Sequence, residues 1–567
     1  MSSSRIKILI INFFLLSFII SVKLFYWQII SGEKLSAQAE SQYQSLRVIP
    51  GSRGLIHTSD NFPIINNREI YNLFINQQRD YSLSGENLDR LVAILEPDET
   101  LKEKMKIEIK NKFENRDLAW SYLAKSIVKE QKQSIENLKI KGLDFESEEK
   151  RDYPEASMSA HLLGFVGKNS IGSNQGYFGL EGYYDRELRS RSGTIEMEKD
   201  AFGISIPIGK TVENQAIVGR DLYLYLDRGI QFMVEEKLKL ALTKYGAKAG
   251  LVVIIDPKTG GLISSASFPN YDPGNYSSTD RMLFPDPVVS QTFEPGSVFK
   301  VLVMASALNE GVIKVDEQCS QCFGPRVIGE YTVRTWDDKY HPNSTMTEIL
   351  QHSDNIGMVY VAEKLGRQKL YRDLNNFGIG QLTNVDLTGE INIPLRSPEK
   401  WADIDLATIS FGQGVAVTPI EMVSAVGAIA NGGKLLEPHA VNKITDSEKT
   451  MEIRPKIIRQ PITETTAKVM TELMVSATQY GEAKWAAPKG YRIAGKTGTA
   501  QIPIAGHYDS QKTIASFVGF APADNPKFVM LVSLTEPTSS PWGSETAAPL
   551  WFDIAKEIFK IRGILPS

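Results

Sequence analysis

Residues 293–300 read "FEPGSVFK" and run directly into Val301-Leu302-Val303-Met304-Ala305. A Pro-Gly turn is followed by a serine, and three places later by a lysine at the head of an otherwise apolar helix. Two readings compete. Lys300 either snorkels out of an amphipathic helix, or it is desolvated beside a hydroxyl one helical turn behind it. The second reading has chemical content. A serine hydroxyl needs a base in contact to become a nucleophile, and a lysine serves only when burial disfavours its charged form. A helix N-terminus also points N–H groups at the place where an oxyanion would develop. The spacing alone carries little weight, because Ser4, Ser31, Ser126, Ser147 and Ser397 also stand three residues before a lysine. Only Ser297 has both the turn before it and the long apolar helix after it.

Around this stretch the chain alternates helices and strands. "DLYLYLD" from residue 221 is a strand by alternation. "RGIQFMVEEKLKLALTKY" is a helix with Ile230, Met233, Val234, Leu238, Leu240 and Leu242 as its apolar positions. "AGLVVIIDPKTGGLISSASFP" reads as a hairpin about its Pro/Gly turn. Further helices follow at "VFKVLVMASALNEG", "TEILQHSDNIGMVYVAEKLG", "TPIEMVSAVGAIANGG" and "ETTAKVMTELMVSATQYG", then strands at "TIASFVGFAP" and "KFVMLVSLTEP". The amphipathic helix "AAPLWFDIAKEIFKIRG" ends the series. Strands at both ends of this segment with helices between them predict an α/β or α+β domain, whose one antiparallel sheet is built from both ends and covered by helices. Residues 31–220 are less regular. Helices are expected over Leu88–Leu95, Thr100–Phe113, His161–Phe165 and Leu180–Leu188, with turns at Tyr153-Pro154 and Gly193. Nothing in this elongated module offers a reaction centre.

At 567 residues the chain has room for several domains. Its 63 basic and 67 acidic residues give a net charge of −4 and no reason to expect a nucleic-acid partner. Six scattered histidines argue against a histidine-rich metal site. Arg5 and Lys7 precede an apolar stretch over residues 8–30, long enough to cross a hydrocarbon core of ~30 Å as a helix. Lys23 can snorkel, and Tyr26 and Trp27 suit the interface. Basic residues at the short end place the N-terminus in the cytoplasm and the rest outside. The rival reading is a cleaved signal peptide, with Ala37-Gln38-Ala39 as the cleavage site, although it lies far from the apolar core. The two cysteines, Cys319 and Cys322, form "CSQC". They are expected to be a structural loop pair, since a zinc site needs two more ligands.

Lys300 and Ser297 gain partners further along the chain. "HSDNIG" supplies Ser353, Asp354 and Asn355, and "AGKTGTAQ" supplies Lys496, Thr497, Gly498 and Thr499. Look-alikes at Ser59–Asn61 ("TSDNF") and Lys258–Gly260 ("PKTGG") read as turns. The order S-x-x-K, S-D-N, K-T-G is the signature of penicillin-binding proteins and serine β-lactamases. The chain resembles a class B penicillin-binding protein, a bitopic D,D-transpeptidase of bacterial cell-wall synthesis, over nearly its whole length. "RDYPEASMSAHLLGFVG", "GLEGYYDRELRSRSG", "SFGQGVAVTPIEM" and "IANGGKLLEPH" look like stretches of that family. It departs from the family at "HTSDNF", where Asp-Arg-x-Gly is usual, and at "DPVVSQTFEPGS", which lacks an upstream Asn-Arg pair.

The resemblance implies a tail at 1–7, a transmembrane helix at 8–30, a membrane-proximal pedestal of dimerisation type at 31–220 and an α+β transpeptidase domain at 221–567, its central antiparallel sheet having helices on both sides. It implies that Ser297 attacks a D-Ala-D-Ala stem peptide while Lys300 takes its proton. Ser353, Asn355 and Lys496 would relay protons and hold the peptide amide. Thr497, Gly498 and Thr499 would line a strand edge that holds the terminal carboxylate, with the oxyanion between the N–H groups of Ser297 and Thr499. No cofactor is implied. The implied partners are peptidoglycan stem peptides, β-lactams, and a polytopic glycosyltransferase with other division or elongation membrane proteins, at the bacterial plasma (inner) membrane. The septal role is favoured over elongation. Two other functions fit parts of the pattern. A D,D-carboxypeptidase or β-lactamase-type hydrolase would use the trio with water; a class A lactamase also needs a glutamate to activate that water, and Glu390 and Glu399 are the candidates by position, neither in a convincing version of that motif. A non-catalytic envelope scaffold would need no intact trio.

Overall fold

The computed structural model describes residues 3–76, 82–115, 120–198, 211–504 and 507–566. The chain forms two compact units. One comprises Met1–Arg53 with Arg189–Gly219, and the other Gly54–Leu188 with Arg220–Ser567.

In the first unit, Ser4–Ile30 is helical, apolar and without a buried residue, and is long enough to cross a membrane. Ala37 to Ala39 lie within the helix Gly32–Tyr43 that follows. Strands Gln44–Ile49, Gly193–Glu198 and Thr211–Asn214 form a three-stranded antiparallel sheet. Gly193 is therefore not in a turn. It opens a strand, and a Cβ there would stand 2.3 Å from the Asn214 carbonyl oxygen. Close approach, rather than turning, requires this glycine. The end of the stretch "GTIEMEKD" lies outside the described residues, as do parts of the expected pedestal.

The second unit is built on a five-stranded antiparallel sheet. Helix α1 (Arg228–Tyr245) leads into the hairpin β1 (Ala249–Ile255) and β2 (Leu262–Phe268). The helices that follow include α2 (Lys300–Asn309), α3 (Asn355–Leu365), α4 (Pro419–Ala430) and α5 (Glu464–Tyr480). Strands β3 (Ala494–Ile504), β4 (His507–Ala521) and β5 (Phe528–Thr535) and helix α6 (Ala547–Ile561) complete the series. The order is β2-β1-β5-β4-β3, so the two chain ends do meet in one sheet and β3 is an edge. The apolar run of β1 is explained by burial on both faces. Val252 and Ile254 pack with α1 and α6, whereas Val253 and Ile255 pack with α2, α4 and α5. In α6 the expected stripe is buried through Leu550, Trp551, Ile554, Ile558 and Phe559, with Asp553, Lys556 and Lys560 exposed. Leu240 departs from expectation at 68% exposed, because it stands two positions from the fully buried Leu238 and so faces the other side of α1.

Local signals start and stop these helices. Asp227 caps α1 by accepting from Ile230 N at 3.1 Å, and Gly246 ends it in the left-handed region at φ 62°. Thr418, Pro419 and Glu421 make a capping box with proline at the first helical position of α4. The rest of this unit, from residues 54–188, pairs Pro63–Asn76 with Trp120–Ile127 and Leu143–Asp152. The expected helices there appear as Gly85–Leu95, Glu99–Glu114, Ala160–Leu163, Gly179–Tyr183 and Asp185–Leu188, the last two replacing one continuous helix. Strand Asp221–Leu224 joins these strands to the rest of the unit. It runs parallel to Ile56–His57 and antiparallel to Val441–Thr445. The buried Arg151 donates through Nε to Glu181 at 2.8 Å, tying "RDYP" to "GLEG".

Candidate active site

The chain reaches Ser297 under tight constraint. Phe293 and Val417 exchange backbone hydrogen bonds at 2.9 and 3.0 Å. Gly296 takes φ 56° and donates to the Gly412 carbonyl at 2.9 Å. A Cβ on Gly412 would lie 2.2 Å from the Gly296 oxygen, so "FGQG" is glycine-rich because it lies against the serine's turn. Residues 296–299 form a 3₁₀ turn, and Lys300 begins α2. In a 3₁₀ turn residues i and i+3 eclipse, which puts Ser297 and Lys300 on one side.

Lys300 does not snorkel. It is completely buried. Its Nζ lies 2.6 Å from the Ser353 carbonyl oxygen, 2.7 Å from Asn355 Oδ1 and 3.3 Å from Ser353 Oγ. Burial first, and then the positive charge of Lys496, push its pKa down to about 7, while Asp354 and Glu482 pull the other way. A neutral amine has two N–H bonds and one lone pair. The two short contacts use the N–H bonds and leave the lone pair to accept a proton.

"HSDNIG" was expected inside one helix, yet it breaks it into Met346–Gln351 and α3. Ser353 sits in the left-handed region at φ 53°, and Asp354 caps α3 by accepting from Ile356 N at 2.7 Å and Gly357 N at 3.1 Å. The break turns both oxygens of Ser353 toward Lys300. Asn355 Nδ2 donates to the Arg334 carbonyl at 2.9 Å, which holds its Oδ1 on the amine.

"GKTGTAQ" lies on the edge strand β3, as its composition predicts. A Cβ on Gly498 would meet Ser516 Oγ at 2.5 Å and Val298 at 2.8 Å, so its absence lets the strand lie against the serine's turn. Lys496 is buried and donates to Thr497 Oγ1 at 2.9 Å. Burial lowers its pKa and the Glu482 charge opposes that. The Thr497 hydroxyl donates to Glu482 Oε2 at 2.8 Å. Thr499 Oγ1 accepts from Gly543 N at 2.9 Å, which leaves its hydrogen for a ligand.

A cleft of about 400 Å³ is lined by Ser297, Ser353, Asn355, Thr497, Gly498 and Thr499, with the two lysines buried beside it. All eight residues expected at the site therefore converge. Sequence reasoning missed Glu482 and the pair Trp336 and Trp542, whose rings meet edge to face at 5.0 Å on the cleft wall. These stand on loops, where no periodicity marks them. The look-alikes stay apart, with "TSDN" turning between two strands and "PKTGG" closing the β1–β2 hairpin. Glu390 spends its carboxylate on Thr383 and Asn384, and Glu399 is held by Gln368; neither lines the cleft. Cys319 and Cys322 are joined in a buried disulfide, a loop pair as expected.

Comparison with known proteins shows the family. A family model described as the penicillin binding protein transpeptidase domain matches residues 250–560, and one described as the penicillin-binding protein dimerisation domain matches residues 48–224. The chain is 32% identical to "Stage V sporulation protein D" of Bacillus subtilis (strain 168), over 97% of this chain and 84% of that protein. It is 28% identical to "Peptidoglycan D,D-transpeptidase FtsI" of Escherichia coli (strain K12), over 95% of this chain and 89% of that one. The fold is shared with penicillin binding protein 3 of Mycobacterium tuberculosis in its aztreonam complex. That match has a TM-score of 0.70 and 24% identity, over 92% of this chain and 98% of that one. Penicillin binding protein 2X of Streptococcus thermophilus matches with a TM-score of 0.75 and 21% identity, over 92% of this chain and 81% of that one.

Proposed function

The chain belongs to the penicillin-binding protein transpeptidase family, and on that premise we propose that it is a serine D,D-transpeptidase that cross-links peptidoglycan stem peptides. Ser297 Oγ attacks the carbonyl of the penultimate D-Ala, and its proton passes to the neutral Lys300. The C–N bond to the terminal D-Ala breaks, and that amine takes a proton relayed through Ser353, with Asn355 and Lys496 holding the peptide. Lys496, Thr497 and Thr499 take the terminal carboxylate, and the backbone at Gly498 lets the peptide lie along the β3 edge. The N–H groups of Ser297 and Thr499 receive the oxyanion. An amine of a neighbouring stem then attacks the acyl-enzyme, forms the cross-link and returns the proton to Ser297. β-Lactams acylate the same serine.

The observation that carries this reading is the fully buried Lys300 amine, held within 2.7 Å of both Ser353 O and Asn355 Oδ1. A class A β-lactamase reading lacks its water-activating glutamate, since neither Glu390 nor Glu399 lines the cleft. Residues 8–30 anchor the protein once in the bacterial plasma membrane, with residues 1–7 cytoplasmic and residues 31–220 and 221–567 outside as pedestal and transpeptidase domains. The partner is a polytopic glycosyltransferase, contacted through the anchor and the pedestal. The setting is cell division rather than elongation. Similarity to a Bacillus subtilis protein named for sporulation favours a second setting, wall synthesis during spore formation.

Two assays on the detergent-solubilised full-length protein test the reaction. Mass spectrometry after benzylpenicillin treatment is expected to find one adduct, on the peptide containing Ser297. A stem peptide ending in D-Ala-D-Ala, offered with an excess of a D-amino acid, is expected to yield the exchanged peptide. Formation of only the shortened peptide would convert the reading to a carboxypeptidase, and an adduct elsewhere would remove it.

A further inference from the structure

One carboxylate on the cleft wall has no part in the proposed reaction. Helix α5 ends at Tyr480, and a Cβ on the next residue, Gly481, would lie 2.3 Å from the Ala477 carbonyl oxygen and 2.8 Å from that of Gln351. Glycine therefore lets the chain leave the helix hard against its neighbour, and Glu482 lands in the cleft beside β3. Its Oε2 accepts the Thr497 hydroxyl at 2.8 Å, and that hydroxyl oxygen accepts from Lys496 Nζ at 2.9 Å. A hydroxyl has one hydrogen. The Thr497 hydrogen is thus committed to Glu482, in the corner where the reading above seats a ligand's carboxylate. Among the described residues Lys496 has no carboxylate in direct ion-pair contact, so Glu482, one hydroxyl away, is the anion nearest along its hydrogen bonds.

We propose that Glu482 is a specificity-determining residue: in the empty cleft its carboxylate holds the hydrogen bond and the charge balance that a ligand's carboxylate must take over, and so it lowers the affinity for carboxylate-bearing ligands. The inference rests on the transpeptidase reading for the place of that ligand group. Two carboxylates that share one hydroxyl and one ammonium repel each other. An incoming anion finds the Thr499 hydrogen and the Lys496 ammonium available, but not the Thr497 hydrogen. Glu482 is half-buried, so it can swing toward water, and that displacement is the cost every anionic ligand meets on entry. A ligand without a carboxylate needs no displacement and does not meet this cost.

The test compares benzylpenicillin with its methyl ester, which lacks the charge, by the second-order rate of adduct formation on the full-length protein. The ratio of the acid's rate to the ester's is taken for the wild type, Glu482→Gln and Glu482→Asp. Glutamine keeps an oxygen for Thr497 and removes the charge. It is expected to raise the ratio about tenfold, because the repulsion between the two carboxylates is removed while the Thr497 hydrogen bond stays. Aspartate keeps the charge and is expected to hold the ratio near the wild-type value. A poorly folded variant loses both rates alike, so the ratio still reports on Glu482. A ratio that is unchanged or lowered in Glu482→Gln, or raised equally by aspartate, overturns the inference while leaving the transpeptidase reading intact. No adduct with either ligand on any of the three proteins overturns that reading and this inference with it.

Discussion

Ser297→Ala is expected to abolish covalent labelling by benzylpenicillin and peptide exchange together, while the protein melts as the wild type does. The turn that presents Ser297 is held by the Gly296–Gly412 and Phe293–Val417 backbone bonds, and none of them uses the hydroxyl. Deleting one half-buried oxygen leaves that frame in place. The donors on Thr499 and Lys496 also remain, so the variant is expected to keep non-covalent affinity for the same ligands. Labelling by mass spectrometry and protection against thermal unfolding by D-Ala-D-Ala peptides check the two halves. An adduct that survives in Ser297→Ala would place the nucleophile elsewhere.

Lys300→Arg is expected to slow acylation about 10²–10⁴-fold, the range of a positioned general base. Arginine preserves the positive charge and can still donate to Ser353 and Asn355, but it does not give up a proton in a protein. Lys300→Met, which removes the charge and keeps much of the volume, is expected to lose as much. The two variants together separate proton transfer from charge. If Lys300 acted by its charge alone, the arginine variant would retain most of the rate. Stopped-flow acylation with a chromogenic cephalosporin measures both.

Much of this arrangement was legible in the sequence because the informative features are local. One helical turn relates Ser297 to Lys300, a Pro/Gly turn marks the β1–β2 hairpin, and the i, i+3/i+4 spacing of apolar residues in α6 shows which face it buries. The break at Ser353 was equally local but was missed, because the apolar positions on either side of "SDN" keep helical spacing and hide the capping preference of Asp354. Leu240 is apolar like the buried positions of α1, but its angular position puts it outside. Other features have no local signature. Strand Asp221–Leu224 pairs with Ile56–His57 across more than 160 residues, and the latter is two residues long. Glu482 reaches the cleft through the close packing of Gly481 on Gln351, which only the assembled fold creates.

The central claim is that Ser297 is activated by an amine that burial keeps neutral at physiological pH. The pH dependence of benzylpenicillin acylation measures it directly. Lys300 has a pKa lowered to about 7, so its neutral, proton-accepting form is lost as pH falls through that value. The rate is expected to plateau above the midpoint, fall tenfold per unit below it, and stand about a hundredfold under the plateau at pH 5. A midpoint near the ordinary lysine value of 10.5, or a rate that does not change with pH across this range, would contradict the account.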